Sequence, residues 1–216
     1  MVNRIKTLID KKYPLTEIDC GEFGSMKVGG IDFSVSAYKA EGLGHMSIMS
    51  AKGFFGLMKM DTLIINPTEI DLPLYSYDRI FAMGNDTLIV ELYDTTVTDF
   101  SEERMNEVKA REMYSAIPER DPGEHWYDSI KLPSSISKKG GKKHFDLIES
   151  LAESHFEAYI ASDSSSVSDR EAKRAKACAY VNGLLQKGGP STDVFKKNLG
   201  SEKTKILFEN FLFGTK

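Results

Sequence analysis

The chain is short of the residues that build inorganic centres. Only two cysteines, Cys20 and Cys178, occur in 216 residues, too few for a disulfide framework or a cysteine-ligated zinc or iron–sulfur site. They read as reduced thiols, buried or partly so. The four histidines, His45, His125, His144 and His155, are widely spaced and form no HExxH-type pair, so no metal site is signalled. Phosphate cradles are missing as well. No GxGxxG follows a strand, no P-loop occurs, and GLGHM at 42–46 lacks both the third glycine and the following helix. There is no GxSxG elbow, and neither cysteine lies in a nucleophile motif. Long apolar runs are absent too: Thr62–Ile65 and Thr87–Val90 are strand-sized, far below a membrane span. Residues 1–14 carry scattered charges and no signal-peptide core, so a soluble, cytoplasmic protein is expected.

What is present is an ordinary globular composition, 41% hydrophobic and 28% charged, consistent with one domain over residues 1–216. A chain of this length buries most of its unfolded surface without help from metal or disulfide. The net charge of −4 is unevenly spread. Residues 1–130 hold 13 Lys and Arg against 22 Asp and Glu, whereas residues 131–216 hold 15 against 10. Much of the excess lies in Lys138, Lys139, Lys142 and Lys143, and in Arg170, Lys173, Arg174 and Lys176. Such runs are usually solvated helix faces, but a clustered positive potential also suits docking of an acidic partner. No aromatic interleaving favours nucleic acid.

Hydrophobic periodicity predicts a helix over 3–12 and then strands. Ile31, Phe33, Val35 and Ala37 alternate with polar residues, and Gly29-Gly30 supplies a hairpin turn before them. Further strands are expected around HMSIMSAK, FFGLMKMDTLIINP, DLPLYSYDRIFAM and DTLIVELYDTT, with a tight turn at Gly84-Asn85. Six strands in succession with no helix between them imply an antiparallel meander. After Asp99 the pattern turns helical: 100–116, 143–161, 168–185, 193–199 and 203–211. Residues 117–141 read as an irregular segment, which Trp126, the only tryptophan, is expected to pin to the core. The expected class is α+β, a three-layer α/β/α sandwich with a central antiparallel sheet of about six strands.

Two blocks carry a resemblance. MDTLIINPTEIDLPLYSYDRIFAM, residues 60–83, has an apolar strand, a Pro-containing turn, Leu72-Pro73, Leu74-Tyr75 and then Asp78. STDVFKKNLGSEKTKILFENFLFG, residues 191–214, has a closing helix with a Leu-Gly break. Together, in this order and separation, they resemble the ferredoxin-dependent bilin reductases, over roughly residues 28–214. The resemblance implies reduction of a linear tetrapyrrole such as biliverdin by one-electron steps from reduced ferredoxin, through substrate radicals. It implies no bound metal or flavin, with ferredoxin as external donor. Expected partners are then the bilin and ferredoxin, with no nucleic acid and no membrane, and a monomeric chain. The alternative is a bilin- or heme-binding protein of the same fold without efficient catalysis.

The same resemblance proposes site residues. Asp78 matches the family's proton-donating aspartate; an added electron makes a conjugated bilin more basic, and a nearby acid must then supply a proton. Its plain alternative is a strand-end aspartate capping a turn. Counting back without gaps, Asp61 falls where one branch pairs a histidine with that aspartate, and two carboxyls facing one pocket would leave one protonated. Asp61 reads equally as a solvent-facing strand residue. Met49 stands where the phycocyanobilin-forming branch has a glutamate, so it is expected to be a wall residue, as is Leu63. Lys138 lies near the family's propionate-binding arginine. Lys187 and Ser191 are assigned to substrate binding beside Gly188-Gly189-Pro190-Ser191, which replaces the family's Asn-Asp-Lys-Thr run.

Overall fold

The computed structural model describes residues 2–189 and 191–216; Pro190, within the Gly188–Ser191 departure noted above, lies outside the described residues. Helix α1 (Val2–Lys12) precedes strands β1 (Leu15–Ile18), β2 (Ser25–Val28), β3 (Ile31–Ala40), β4 (Gly44–Gly53), β5 (Met58–Pro67), β6 (Leu74–Ala82) and β7 (Asn85–Tyr93). Short helices α2 (Glu103–Lys109) and α3 (Glu112–Ser115) lead to β8 (Ile136–Gly141). Helices α4 (Phe145–Ile160), α5 (Arg170–Lys187), α6 (Thr192–Leu199) and α7 (Ser201–Ile206) follow, the last running into a π-helical turn at Leu207–Leu212.

The strands form one antiparallel sheet in the order β1-β3-β4-β5-β6-β7-β8, with β2 also pairing β3. The α+β class and the meander hold, and the sheet has eight strands rather than six. The two extra strands escaped because β1 is four residues long, and because β8 reads ISKKGG, with two glycines and no apolar alternation. The β6–β7 turn is Met83-Gly84, with Ala82 opposite Asn85, one residue before the expected Gly84-Asn85. The helix expected over 100–116 is two short pieces.

Strand alternation sorts the sheet's side chains into two cores. One face packs Leu63, Ile65, Tyr75, Tyr77, Leu88, Val90 and Leu92 beneath α1, α2 and α4. The other packs Phe33, Val35, Ala37, Met49, Ala51, Ile64, Leu74 and Tyr93 against α5, α6 and the C-terminal turn. Trp126 does fasten the irregular segment: its indole N–H donates to the Gly188 carbonyl at 2.9 Å. Its ring lies so close to Gly183 in α5 that a Cβ there would stand 2.1 Å from it. That contact accounts for a glycine in mid-helix, where the residue otherwise costs about 1 kcal/mol.

The basic C-terminal half is less of a surface than its charge suggested. Lys173 is buried and donates to Asp71 at 3.2 Å and to the Leu72 carbonyl. Asp71 also accepts from the Val97 and Thr98 backbone, so this pair ties α5 to the loop before β6 and the loop after β7. Lys138 is also buried. These two lysines therefore leave the proposed docking face.

Candidate functional site

A cleft opens on the face covered by α5, α6 and the C-terminal turn, with about 1050 Å³ of empty space including its mouth. Its floor is a row of register partners running straight across the sheet: Met49, Thr62, Asp78, Ile89. Met60, Ile64, Ser76, Ile80, Glu91 and Tyr93 extend the floor on the same face. The roof and rim bring in Arg120, His125, Tyr127, Tyr180, Leu184 and Phe213 among others. The lining is largely apolar and aromatic, with a few polar groups converging on it, the usual make-up of a site for a small organic ligand.

Asp78 occupies the middle of the floor. Its carboxylate accepts a hydrogen bond from the Thr62 hydroxyl, its neighbour across the ladder. Among the described residues no cation pairs with it. Desolvation therefore dominates, opposed by the Thr62 bond and reinforced by the charge of Glu91, and the carboxyl is pushed up to about 6. A group so poised holds and releases a proton near neutral pH, as a general acid requires. Glu91 is two residues beyond Asp78's partner Ile89 on β7, hence on the same face. It accepts from the Tyr93 hydroxyl at 2.6 Å, and the Lys131 ammonium stands 3.8 Å away.

Aromatic rings crowd one side. Tyr93 and Tyr180 lie 4.1 Å apart between centroids, and Tyr127 meets Tyr93 edge-on at 5.5 Å. His125 stacks on Tyr127 at 4.8 Å with the planes 10° apart. Burial raises the hydroxyls of Tyr93, Tyr127 and Tyr180 above the ordinary tyrosine value, so these rings serve as neutral walls. Arg120 is the one permanently charged cation lining the cleft among the described residues. Its Nη1 donates to the Ser137 hydroxyl at 3.2 Å, which leaves further N–H groups for a ligand carboxylate.

Of the seven residues picked from sequence, the structure brings Asp78, Met49 and Ser191 to this cleft. Asp61, Leu63 and Lys138 are not there, for one shared reason. Asp61 neighbours Thr62 along the strand, so its side chain points to the opposite face. It forms part of the adjacent ladder row, Ser50–Asp61–Arg79–Leu88–Lys138, and accepts from Ser50 Oγ at 2.6 Å. The residue across the ladder from Asp78 is Thr62, sixteen positions back, rather than Asp61. Leu63 sits in the far core. Lys138 sits on that same face, its ammonium bonded to Glu119 at 2.6 Å and to the Ile117 carbonyl at 3.1 Å, 3.5 Å from the Tyr114 ring centre. Lys187 does not line the cleft; it is exposed, with its ammonium 5.0 Å from the Trp126 ring centre. Glu91 and Arg120 went unnoticed in the sequence. Glu91 was within reach, since Asp78 and the Met83-Gly84 turn together imply its face. Arg120 lies in irregular chain, where no periodicity points anywhere.

The sequence matches no family model, and no curated protein matches it. The fold, however, is similar to that of selenomethionyl phytochromobilin synthase from tomato, solved in complex with biliverdin. The TM-score is 0.77 at 13% identity, over 99% of this chain and 82% of that one. At that identity the likeness concerns the fold.

Proposed function

We propose that the protein binds a linear tetrapyrrole of the biliverdin class in this cleft and reduces it with electrons from reduced ferredoxin, Asp78 delivering the protons. The observation that carries this reading is an unpaired carboxyl held near 6 at the centre of a largely apolar, aromatic-walled cleft. The fold's likeness to a biliverdin-bound reductase supports the class of ligand.

In this reading the bilin accepts one electron at a time, and each electron raises its basicity. Asp78 transfers its proton to the reduced bilin, and solvent restores the proton to the carboxylate. Two electrons and two protons saturate one double bond. Glu91, rather than Asp61, is the second carboxyl: its negative charge helps to keep Asp78 protonated. Arg120 takes the role sought in Lys138, its free N–H groups meeting a propionate carboxylate. Met49 and the tyrosines pack on the flat conjugated system.

The experiment is a visible spectrum of the protein titrated with biliverdin, followed anaerobically while reduced ferredoxin is added. A red-shifted bound spectrum that then loses its long-wavelength absorption is expected. A bound spectrum that persists through reduction would identify a bilin-binding protein without catalysis, and no spectral change on titration would overturn the ligand class.

A further inference from the structure

The four most exposed large apolar side chains among the described residues are Phe54 (67%), Phe55 (109%), Leu57 (73%) and Met83 (94%). All four occupy hairpin tips at one end of the sheet. Phe54, Phe55 and Leu57 form the β4–β5 connection, and Met83 starts the β6–β7 turn. Because Met58 is the register partner of Ala82, the two tips are neighbours.

Conformation makes their presence costlier. Among the described residues, the only non-glycine residues with positive φ are Phe54, Phe55 and Met83, at 50°, 56° and 51°. L-residues enter that region at a penalty, and Gly or Asn fits it best. An exposed left-handed turn therefore favours a small or polar residue on two counts, hydration and backbone strain. Phe and Met violate both at once, and such strain is retained where function requires the side chain.

The flanks are basic. Lys52 and Lys59 are direct cross-strand partners and both exposed, a like-charge pairing that by itself destabilises a ladder. Lys142 and Lys143 follow Gly141, the register partner of Asn85, which places them beside the Met83 turn. None of these four lysines forms an ion pair among the described residues. The nearby carboxylate of Asp32, across the ladder from Lys52, is engaged by Lys27 at 3.8 Å.

We infer that this end of the sheet is a peripheral membrane contact, in which the apolar tips enter the interface of an anionic lipid surface and the lysines meet its headgroups. The shape favours lipid over a folded partner. A stable protein interface needs on the order of 1,000 Å² of complementary surface, whereas two hairpin tips offer four projecting side chains. Shallow insertion combined with a basic collar is how weakly bound proteins engage bilayers. The inference is independent of the catalytic reading, and it amends the expectation of no membrane partner. It adds no spanning segment: no helix among the described residues is long and apolar enough to cross a membrane.

Flotation of the full chain with phosphatidylcholine vesicles, with and without phosphatidylserine, tests it. The protein is expected to float with the anionic vesicles only, and less so as salt rises. Phe54→Asn/Phe55→Asn should abolish flotation while leaving the melting temperature unchanged or higher, since Asn suits the backbone there. Lys52→Gln and Lys59→Gln should each lower the partition coefficient roughly fivefold. The inference is overturned if the parent stays in solution with both vesicle types, or if the double Asn variant floats as well as the parent. It is equally overturned if the tips instead drive self-association in the ultracentrifuge without vesicle binding.

Discussion

Asp78 and Arg79 are adjacent in β6, yet they live in opposite environments. On the face of Arg79, charge is matched wherever it is buried. Its guanidinium donates to Asp86 at 2.8–3.2 Å and to Glu149 at 3.1 Å, and Lys138, two strands over, is matched by Glu119. On the face of Asp78 a carboxyl is left with a single hydroxyl for company beside an open cleft. On that face Glu91 still has the Lys131 ammonium 3.8 Å away, so the contrast belongs to Asp78 in particular. A buried carboxyl without a counter-ion in a cleft is a candidate for function, and the absence of a pair is what sets Asp78 apart from Asp86.

That contrast can be broken first at Arg79. Arg79→Met strands Asp86 as a buried, unmatched carboxylate, and the expected loss is about 3–5 kcal/mol of stability. Urea denaturation measures it, while biliverdin affinity below the transition should stay near the parent's. A loss under about 1 kcal/mol would mean that the far face is not held by its ion pairs.

Asp78→Asn probes the other face. It keeps size and hydrogen bonding and removes the transferable proton. Bilin reduction is expected to slow about a hundredfold or more, with a bilin radical accumulating in electron spin resonance and binding little changed. Reduction at the parent's rate with no radical would move the acid elsewhere in the cleft, and Glu91→Gln is then the variant to assay.

The same substitution has an opposite signature in stability. Asp78 is raised to about 6 from an ordinary 3.8, so the folded chain holds this proton more tightly than the unfolded one. The stability contribution is therefore greatest below 3.8, declines as pH rises to about 6, and stays low above it. Asp78→Asn should be more stable than the parent at pH 8, by about 3 kcal/mol, and the advantage should fade towards pH 4. Melting curves across that range decide it; a variant less stable at pH 8 would place Asp78 among the structural carboxylates.

The smallest effect is expected at Asp61. Asp61→Asn retains an acceptor for Ser50 and faces away from the cleft, so turnover should stay within about twofold and stability within about 0.5 kcal/mol. A substantial loss of activity would show that the two faces are coupled through the ladder.

Much of this was written in local pattern. The period-two run of β3, the short turn-bounded apolar runs of β4 to β7 and the helical spacing of α1, α4 and α5 are legible in the chain itself, as is the block that holds Asp78. Strands β1 and β8 were illegible because one is too short and the other too glycine- and lysine-rich to alternate. Register was the larger gap. A hairpin's pairing depends on the length and conformation of its connection, here the loop between Pro67 and Leu74, and a one-residue offset sends every side chain to the opposite face. The sequence alone therefore determined that an antiparallel sheet with an acidic residue at its centre would form. Only the tertiary structure decided that Thr62 rather than Asp61 meets that acid, that Glu91 and Arg120 share its cleft, and that Lys138 is buried behind the sheet. These are contacts between segments distant in the chain, set by ladder pairing and packing together.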